Sequence, residues 1–267
     1  MSPALQAPLL ASGSHEFEAP SQEIFWQPLF GTEGALAITR PSILALISVV
    51  IVLGLLLAGT RRLSVVPGKG QMAVEGVYNL VRNTVGRDVI GEQHFRRYVP
   101  LLFALFAFIY VNNLFGALPP FQYPTMGRIA FPIVLALVVY LVYNAVGIAR
   151  KGVGGYLKGL VPSGLPVWIV PVVFVLELVT YFVTRPVTLA LRLFGNMFAG
   201  HIILVLFISG AEYMLLDGGA LLKLVSIPTF LMAFLMTLFE LLVQFLQAYV
   251  FVLLSATYIA DAYAEEH

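Results

Sequence analysis

Two apolar runs in the C-terminal half of this chain restrict its fold more than any other feature. They cover residues 167–209 and 224–260, and neither contains a polar stretch long enough to form a convincing turn. As straight helices these runs of 43 and 37 residues would extend about 65 Å and about 55 Å, whereas the hydrocarbon core of a bilayer is about 30 Å thick. We expect either a break at Pro186 and Pro228 or two strongly oblique helices paired as a hairpin. We favour the hairpin, because the two runs are matched and a short acidic turn separates them.

The composition predicts an all-α polytopic membrane protein. Of the residues, 60% are hydrophobic and only 11% are charged, which excludes a soluble domain built around a core and makes nucleic acid an implausible partner. Because the chain contains no cysteine, it has neither a disulfide framework nor a thiolate metal site. We expect the lipid bilayer as its surroundings and no cofactor.

Five segments are long and apolar enough to cross a membrane as helices. The predicted crossings cover residues 42–59, 98–118, 129–149, 167–209 and 224–260. Residues 71–86 are predicted to form an amphipathic interfacial helix, because their apolar side chains recur on one helical face. A glycine-rich basic connection is expected over residues 151–164. The domain prediction is therefore an extramembrane arm at residues 1–41 and a single transmembrane helical domain at residues 42–267.

Basic residues indicate the orientation of the crossings. Residues 61–97 contain seven lysines and arginines, whereas the first forty residues contain only Arg40. Under the positive-inside rule the basic segment is cytoplasmic. The N-terminus is therefore expected outside, and after five crossings the C-terminus is expected in the cytoplasm.

Arg192 lies inside the first overlong run, where an arginine needs an electrostatic reason to be present. A guanidinium at the centre of a membrane helix costs about 2.5–3.5 kcal/mol on insertion scales and does not lose its proton. Helical geometry places Asn196 near the same face and His201 on the opposite one. The competing interpretation is that Arg192 reaches a lipid headgroup or pairs with a carboxylate of its own chain. The apolar sequence that continues to residue 209 argues against a headgroup.

The last run carries three intramembrane polar residues, Glu240, Gln244 and Gln247. In an antiparallel hairpin, one register places Gln247 beside Arg192 and a more outward level of the same register places Glu240 beside His201. A His–Glu pair titrates near neutral pH and suits a path that delivers protons. The alternative is a static buried pair that only holds the two helices together.

Four further polar residues have open interpretations. Glu177 lies toward the predicted cytoplasmic end of the first overlong run and is a candidate for a proton exit path, while Arg185 is expected to meet lipid headgroups. Asn112 and Asn113, near the outer end of the second crossing, either line a wet path or form interhelical hydrogen bonds.

Two stretches resemble a known family. Residues 185–200, with the sequence RPVTLALRLFGNMFAG, resemble subunit a of the F-type ATP synthase, and residues 246–251, LQAYVF, resemble the last-helix motif of that family. The resemblance extends over most of the chain beyond the N-terminal arm. Two such matches in the right order make a chance resemblance unexpected.

The resemblance implies roles for individual residues. Arg192 would be the essential stator arginine, with Asn196 and Gln247 as its polar neighbours. Some family members carry an acid at the position that matches His201 and a histidine at the position that matches Glu240. This chain therefore has the pair in exchanged order.

The resemblance also implies a function, a proton-conducting stator in a rotary motor of the bacterial plasma membrane, itself non-catalytic. Two offset half-channels would lead protons to the c-ring carboxylates, and Arg192 would separate them. The implied protein partners are the c-ring and the b-subunit peripheral stalk. Two alternatives stay open, a sodium-driven version of the same subunit and an ion-coupled secondary transporter. The transporter predicts internal repeats, and we find none in the sequence.

Overall fold

The structure, a computed structural model, describes residues 28–30, 38–60, 68–117, 123, 125–161, 165–166 and 168–263. Most of the predicted N-terminal arm, residues 1–27 and 31–37, lies outside the described residues. The described part of the arm contains two short antiparallel strands, β1 at Pro28–Phe30 and β2 at Ile38–Thr39. Strand β2 leads directly into the first helix.

Seven α-helices make up most of the described chain. They are α1 at Arg40–Thr60, α2 at Lys69–Asn79, α3 at Phe95–Ala117, α4 at Ala130–Lys158, α5 at Val170–Val179, α6 at Arg185–Leu216 and α7 at Ala220–Tyr263. Two π-helical segments extend these helices. Leu80–Ile90 continues α2, and Thr180–Thr184 joins α5 to α6.

The length and composition of these helices are those of a membrane protein. Among the described residues, four helical stretches are long and apolar enough to cross a membrane, namely α3, α4, α5 together with α6, and α7. Helix α1 adds a shorter apolar stretch, Pro41–Leu57. The prediction of an all-α polytopic membrane protein is confirmed.

The two overlong runs form a helical hairpin rather than four short crossings. The helix from α5 to α6 contains 47 residues and α7 contains 44. Neither proline ends a helix, because Pro186 is the second residue of α6, which continues the π-helical segment, and Pro228 lies inside α7. A proline lacks a backbone N–H and crowds the carbonyl four residues before it, and the wider π-helical turn before Pro186 accommodates that carbonyl. Helices α6 and α7 contact each other more extensively than any other pair of described elements.

A helix is present where the interfacial helix was predicted, and it is longer than expected. Helix α2 and its π-helical continuation extend to Ile90, and Gly91 follows with a φ of 92°, which glycine adopts readily. Val81 and Val85 on its apolar face are fully buried, and the π-helical part packs against α3 and α7. The end of this helix is therefore packed against α3 and α7.

Helix α4 continues into the predicted glycine-rich connection. Gly152, with φ 68° and ψ 167°, introduces a kink in the helix. Beyond the kink the chain turns back, so that Tyr156 packs over Gly147, where an added Cβ would lie 2.4 Å from the ring. The Tyr156 hydroxyl donates a hydrogen bond of 3.0 Å to Asn144 Oδ1. The first half of the predicted connection is therefore a helical segment folded back on α4. The kink at Gly152 allows this, and Gly147 leaves space for the ring of Tyr156.

The hydrophobic core lies at one end of the hairpin, where α3 and α4 pack against α6 and α7. Its largest fully buried side chains include Leu102, Phe106 and Ile109 of α3, Tyr143 of α4, Leu189, Leu193 and Met197 of α6, and Phe251 and Ile259 of α7. In contrast, most side chains of α7 between residues 220 and 239 are exposed. The polar candidates on the hairpin lie where it passes from the packed core to a two-helix region.

Candidate functional site

Arg192 and Asn196 lie one turn apart on α6, and both side chains are exposed. Neither of the ion pairs among the described residues includes Arg192. The interpretation that this arginine pairs with a carboxylate of its own chain is therefore not supported within the described part of the chain. A cation on the outer face of a membrane helix needs a counter-charge, and no described carboxylate forms an ion pair with Arg192.

Asn196 connects this exposed face of α6 to α7. Its Nδ2 donates a hydrogen bond of 2.6 Å to Gln247 Oε1, and Gln247 is only 3% exposed. The register expected from the sequence puts Gln247 beside Arg192, whereas its direct bond goes to Asn196, one turn farther along α6. The Nε2 atom of Gln247 is buried and has no hydrogen-bond partner among the described residues. Gln247 therefore keeps a spare donor close to the face that carries Arg192.

His201 and Glu240 are both buried in the hairpin, with exposed fractions of 3% and 5%. The Glu240 carboxyl group lies against Gly200, because a Cβ built on that glycine would be 3.9 Å from Glu240 Cδ and Oε1. The carboxyl group of Glu240 therefore packs near the α6 backbone at the residue that precedes His201. The structure thus brings Glu240 to the level of α6 that the hairpin register predicts.

A chain of buried amide groups leads from Glu240 toward α3. Gln244 Nε2 donates to Glu240 Oε1 at 3.4 Å, and Asn113 Nδ2 donates to the backbone carbonyl oxygen of Gln244 at 3.3 Å. Beside it, Asn112 Nδ2 donates to Ser48 Oγ of α1 at 2.7 Å. All five residues are buried. Both asparagines therefore form interhelical hydrogen bonds, which is one of the two interpretations that the sequence left open.

Several side-chain oxygen atoms of these buried polar residues have no hydrogen-bond partner among the described residues. They are Oδ1 of Asn112, Oδ1 of Asn113, Oε1 of Gln244 and Oε2 of Glu240. An unsatisfied buried polar atom costs about 1–3 kcal/mol, and native proteins satisfy most such atoms through protein groups or ordered water. The sequence reasoning gave Gln244 no role. Gln244 lies four residues after Glu240, so both side chains are on one helical face. This spacing is the sequence signal that indicates a role for Gln244.

Arg185 does not meet lipid headgroups, so that expectation was wrong. Its guanidinium forms an ion pair of 2.9 Å with Asp261 of α7 and lies 3.6 Å from the ring centroid of Tyr181 and 4.8 Å from that of Tyr258. The side chain is only 16% exposed. Asp261 lies one residue beyond the predicted last crossing. The hairpin register places residues 254–256 at the level of Arg185, about 9 Å along the helix from Asp261. The register therefore does not predict this ion pair, which only the packing of the two helices shows.

Glu177 lies on α5, before the π-helical segment, and is half-buried. It forms no ion pair with another described residue. Fifteen positions separate it from Arg192, which corresponds to about 22 Å along a helix, so the structure does not bring Glu177 together with the other candidates. Within the described ranges, no group of three histidine or acidic side chains has the arrangement of a metal site.

Comparison with known proteins gives one consistent result. The profile of the ATP synthase A chain family matches residues 42–260. A protein of a Nocardioides species named ATP synthase subunit a is 42% identical, over 96% of this chain and 93% of that protein. Proteins of the same name are 41% identical in Pseudarthrobacter chlorophenolicus, over 97% of this chain and 98% of that protein, and 39% identical in Streptomyces lividans, over 94% and 89%. The matches cover the hairpin and all the polar candidates described above.

Proposed function

The chain belongs to the ATP synthase A chain family, and we propose that it is the proton-conducting stator subunit of a rotary F-type ATP synthase. In this role two offset half-channels lead from opposite sides of the membrane to the c-ring carboxylates, and Arg192 separates them. The subunit itself is non-catalytic. It lies in the bacterial plasma membrane as a multi-pass protein, with its N-terminus outside and its C-terminus in the cytoplasm.

The observation that carries this proposal is the exposed guanidinium of Arg192 with no ion pair among the described residues. A c-ring carboxylate is the counter-charge that the family assignment favours. At about 4 Å and an effective dielectric constant near 20 the two charges attract by roughly 4 kcal/mol. This is enough to favour the ionised carboxylate, and hence release of its proton, without locking the ring in place.

The proposed path from the outside follows the buried polar chain of Asn113, Gln244 and Glu240 to His201. The unsatisfied oxygen atoms of its amide and carboxyl groups support a hydrated path, because water molecules would satisfy them. A proton that reaches Glu240 and His201 then protonates a ring carboxylate, and the neutral carboxyl group rotates into lipid at little cost. Asn196 and Gln247 hold α6 and α7 together where this transfer takes place.

The proposed path to the cytoplasm starts at Arg192 and passes toward Glu177, whose position near the basic edge of the chain supports an exit role. A direct leak between the two paths would have to pass the fixed charge of Arg192, which repels a proton. The b-subunit peripheral stalk is the second proposed partner. The exposed apolar stripe of α1, formed by Leu46, Val50, Leu53 and Leu57, supports contact with a membrane helix of another subunit.

The transported ion is proposed to be the proton, because a histidine and a carboxyl group come to the same level of the hairpin. The family assignment favours a stator over an ion-coupled secondary transporter. A sodium-driven version is the remaining alternative, and ATP-driven pumping measured with and without sodium separates the two: proton pumping that persists without sodium supports our proposal.

The decisive experiment replaces Arg192 by alanine in the assembled complex, reconstituted into vesicles. We expect ATP-driven acidification, followed with a pH-sensitive dye, to fall to background, because the ring carboxylate loses its fixed counter-charge. Arg87→Ala is the matched control, since Arg87 is also exposed but lies outside the hairpin and pairs with Glu92; pumping should persist. Coupled pumping that is unchanged in Arg192→Ala would remove the proposed mechanism.

A further inference from the structure

A groove of about 400 Å³ lies at the edge of the bundle, where α3 begins, α4 approaches its kink at Gly152 and α7 ends. Its polar end is lined by Arg97, Tyr98, Arg150 and Tyr263. Its apolar wall is a single stripe of α4, formed by Val142, Ala145, Val146 and Ala149. Over about 10 Å along α4 the groove therefore changes from cationic to apolar.

Contacts between three parts of the chain hold the polar end in position. Arg150 Nη2 lies 2.9 Å from His94 Nε2, and its guanidinium carbon lies 4.9 Å from the ring centroid of Tyr263. His94 stacks on Tyr263 with ring centroids 4.2 Å apart, and the Tyr263 hydroxyl lies 2.7 Å from that of Tyr98. Arg97 and Arg150 are nevertheless exposed, and neither forms an ion pair with a described carboxylate. The groove thus presents two positive charges without a described counter-charge, and these contacts hold that of Arg150 in position.

We propose that this groove binds an anionic phospholipid, with its phosphate at Arg97 and Arg150 and one acyl chain along the apolar stripe of α4. Arginine binds phosphate oxygen atoms with paired, charge-assisted hydrogen bonds. Tyrosine rings favour the interface, where one end is apolar and the other is wet. The groove also lies at the basic edge that the proposed orientation places in the cytoplasm, where the leaflet carries anionic lipid.

Both halves of the groove are needed to select this ligand. A soluble phosphate would use the arginines and leave the α4 stripe uncovered, and a neutral lipid would use the stripe and leave two cations without a counter-charge. An anionic phospholipid satisfies both. Because the groove joins α3, α4 and the end of α7, the bound lipid holds Tyr263 and the end of the hairpin against the bundle.

The test uses the purified ATP synthase complex that contains this chain, placed in phosphatidylcholine nanodiscs and titrated with a photoactivatable phosphatidylglycerol. The readout is the amount of phosphatidylglycerol needed for half-maximal crosslinking to residues 142–149, mapped by peptide mass spectrometry. We expect saturable crosslinking with phosphatidylglycerol and none with a photoactivatable phosphatidylcholine. An excess of glycerol phosphate should not compete, which distinguishes the lipid from a free phosphate.

Two variants and two controls separate the parts of the groove. Arg97→Gln with Arg150→Gln should raise the half-maximal amount by about 25-fold, since each surface arginine contributes roughly fivefold to anionic lipid binding. Arg82→Gln with Arg87→Gln removes the same charge from the same side of the chain outside the groove and should cause no comparable shift. Ala145→Trp fills the apolar wall and should abolish the mapped crosslink.

The matched control for Ala145→Trp is Leu141→Trp, at an exposed position outside the groove, which should leave the crosslink in place. Equal crosslinking in the double arginine variant and the unaltered chain would overturn the proposal, as would equal crosslinking by the two lipids. Crosslinking that appears only after deletion of residues 264–267 would identify the acidic end of the chain as the occupant and would also overturn it.

Discussion

Arg185 and Arg192 lie two helical turns apart on α6 and have opposite surroundings. Arg185 is held by Asp261 and by the rings of Tyr181 and Tyr258, so its charge is neutralised within the chain. Arg192 is exposed and lacks an ion pair among the described residues. Both guanidinium groups carry the same permanent charge, so the difference comes from what faces them. Arg185 joins the two helices of the hairpin, whereas Arg192 is the residue that we propose to face another subunit.

The first prediction concerns the exchanged pair His201 and Glu240. His201→Glu leaves two acids in the site and Glu240→His leaves two imidazoles, and each single variant should reduce ATP-driven proton pumping in vesicles. The double exchange restores one acid and one imidazole, in the order that some family members carry. We expect a coupling of about 1–3 kcal/mol between the two positions, so that the double variant pumps about 5-fold to 150-fold faster than the product of the single effects predicts.

The same measurement can contradict this prediction. If the double variant pumps no better than the two single effects combined, the residues do not act as a pair, and a static packing role would account for their burial. ATP hydrolysis by the detached catalytic part of the complex serves as the control, because the exchange lies entirely within the membrane subunit and should leave that activity unchanged.

At the scale of elements, the π-helical segments change what a helical wheel can predict. Thr180–Thr184 separates α5 from α6, and a π-helical turn contains more residues than an α-helical one. The face of Glu177 relative to Arg192 therefore does not follow from counting about 100° per residue. Arg192 and Asn196 both lie after this segment in one α-helix, and both are exposed there, as their predicted shared face implies.

The second prediction concerns the folded-back end of α4. Gly147→Ala would place a Cβ 2.4 Å from a ring carbon of Tyr156, and the ring cannot yield without losing its bond to Asn144. We expect a loss of about 1–3 kcal/mol in the free energy of unfolding, measured by denaturant titration of the purified chain in mixed micelles.

Two further variants test the cause of that loss. Gly154→Ala is the matched control, because an added Cβ there meets nothing within 4 Å and should not destabilise the chain by crowding. Tyr156→Leu removes the ring, so Gly147→Ala should cost much less in that background. A cost that is the same in both backgrounds would show that the ring is not what makes glycine necessary.

At the scale of the whole molecule, the packing is divided between two regions. Four helices enclose the core around α3, whereas the far part of the hairpin exposes apolar side chains along α7. Membrane helices gain little from apolar contact alone, since lipid tails are equally apolar, and their association depends on close packing and polar contacts. The exposed part of the hairpin is therefore available to lipid and to other subunits.

The third prediction compares two phenylalanines across this division. Phe106 is 1% exposed in the core and Phe234 is 60% exposed on α7. Phe106→Ala leaves a cavity and should cost about 3–5 kcal/mol of unfolding free energy, while Phe234→Ala should have little effect in the same micelle titration. Equal costs at the two positions would mean that the far part of the hairpin is packed within this chain after all.

The sequence by itself determined that the protein is a helical membrane protein, that its last two helices pair, and that Arg192 and Asn196 share a face. Hydropathy, helical period and the register of one antiparallel pair are all properties of short stretches or of neighbours along the chain. The tertiary structure alone decided what neutralises Arg185, how Gln244 links Asn113 to Glu240, where Tyr156 packs, and that parts of three helices form one groove. These contacts join residues from different helices, and their geometry depends on kinks and π-helical turns that a regular period of 3.6 residues does not contain.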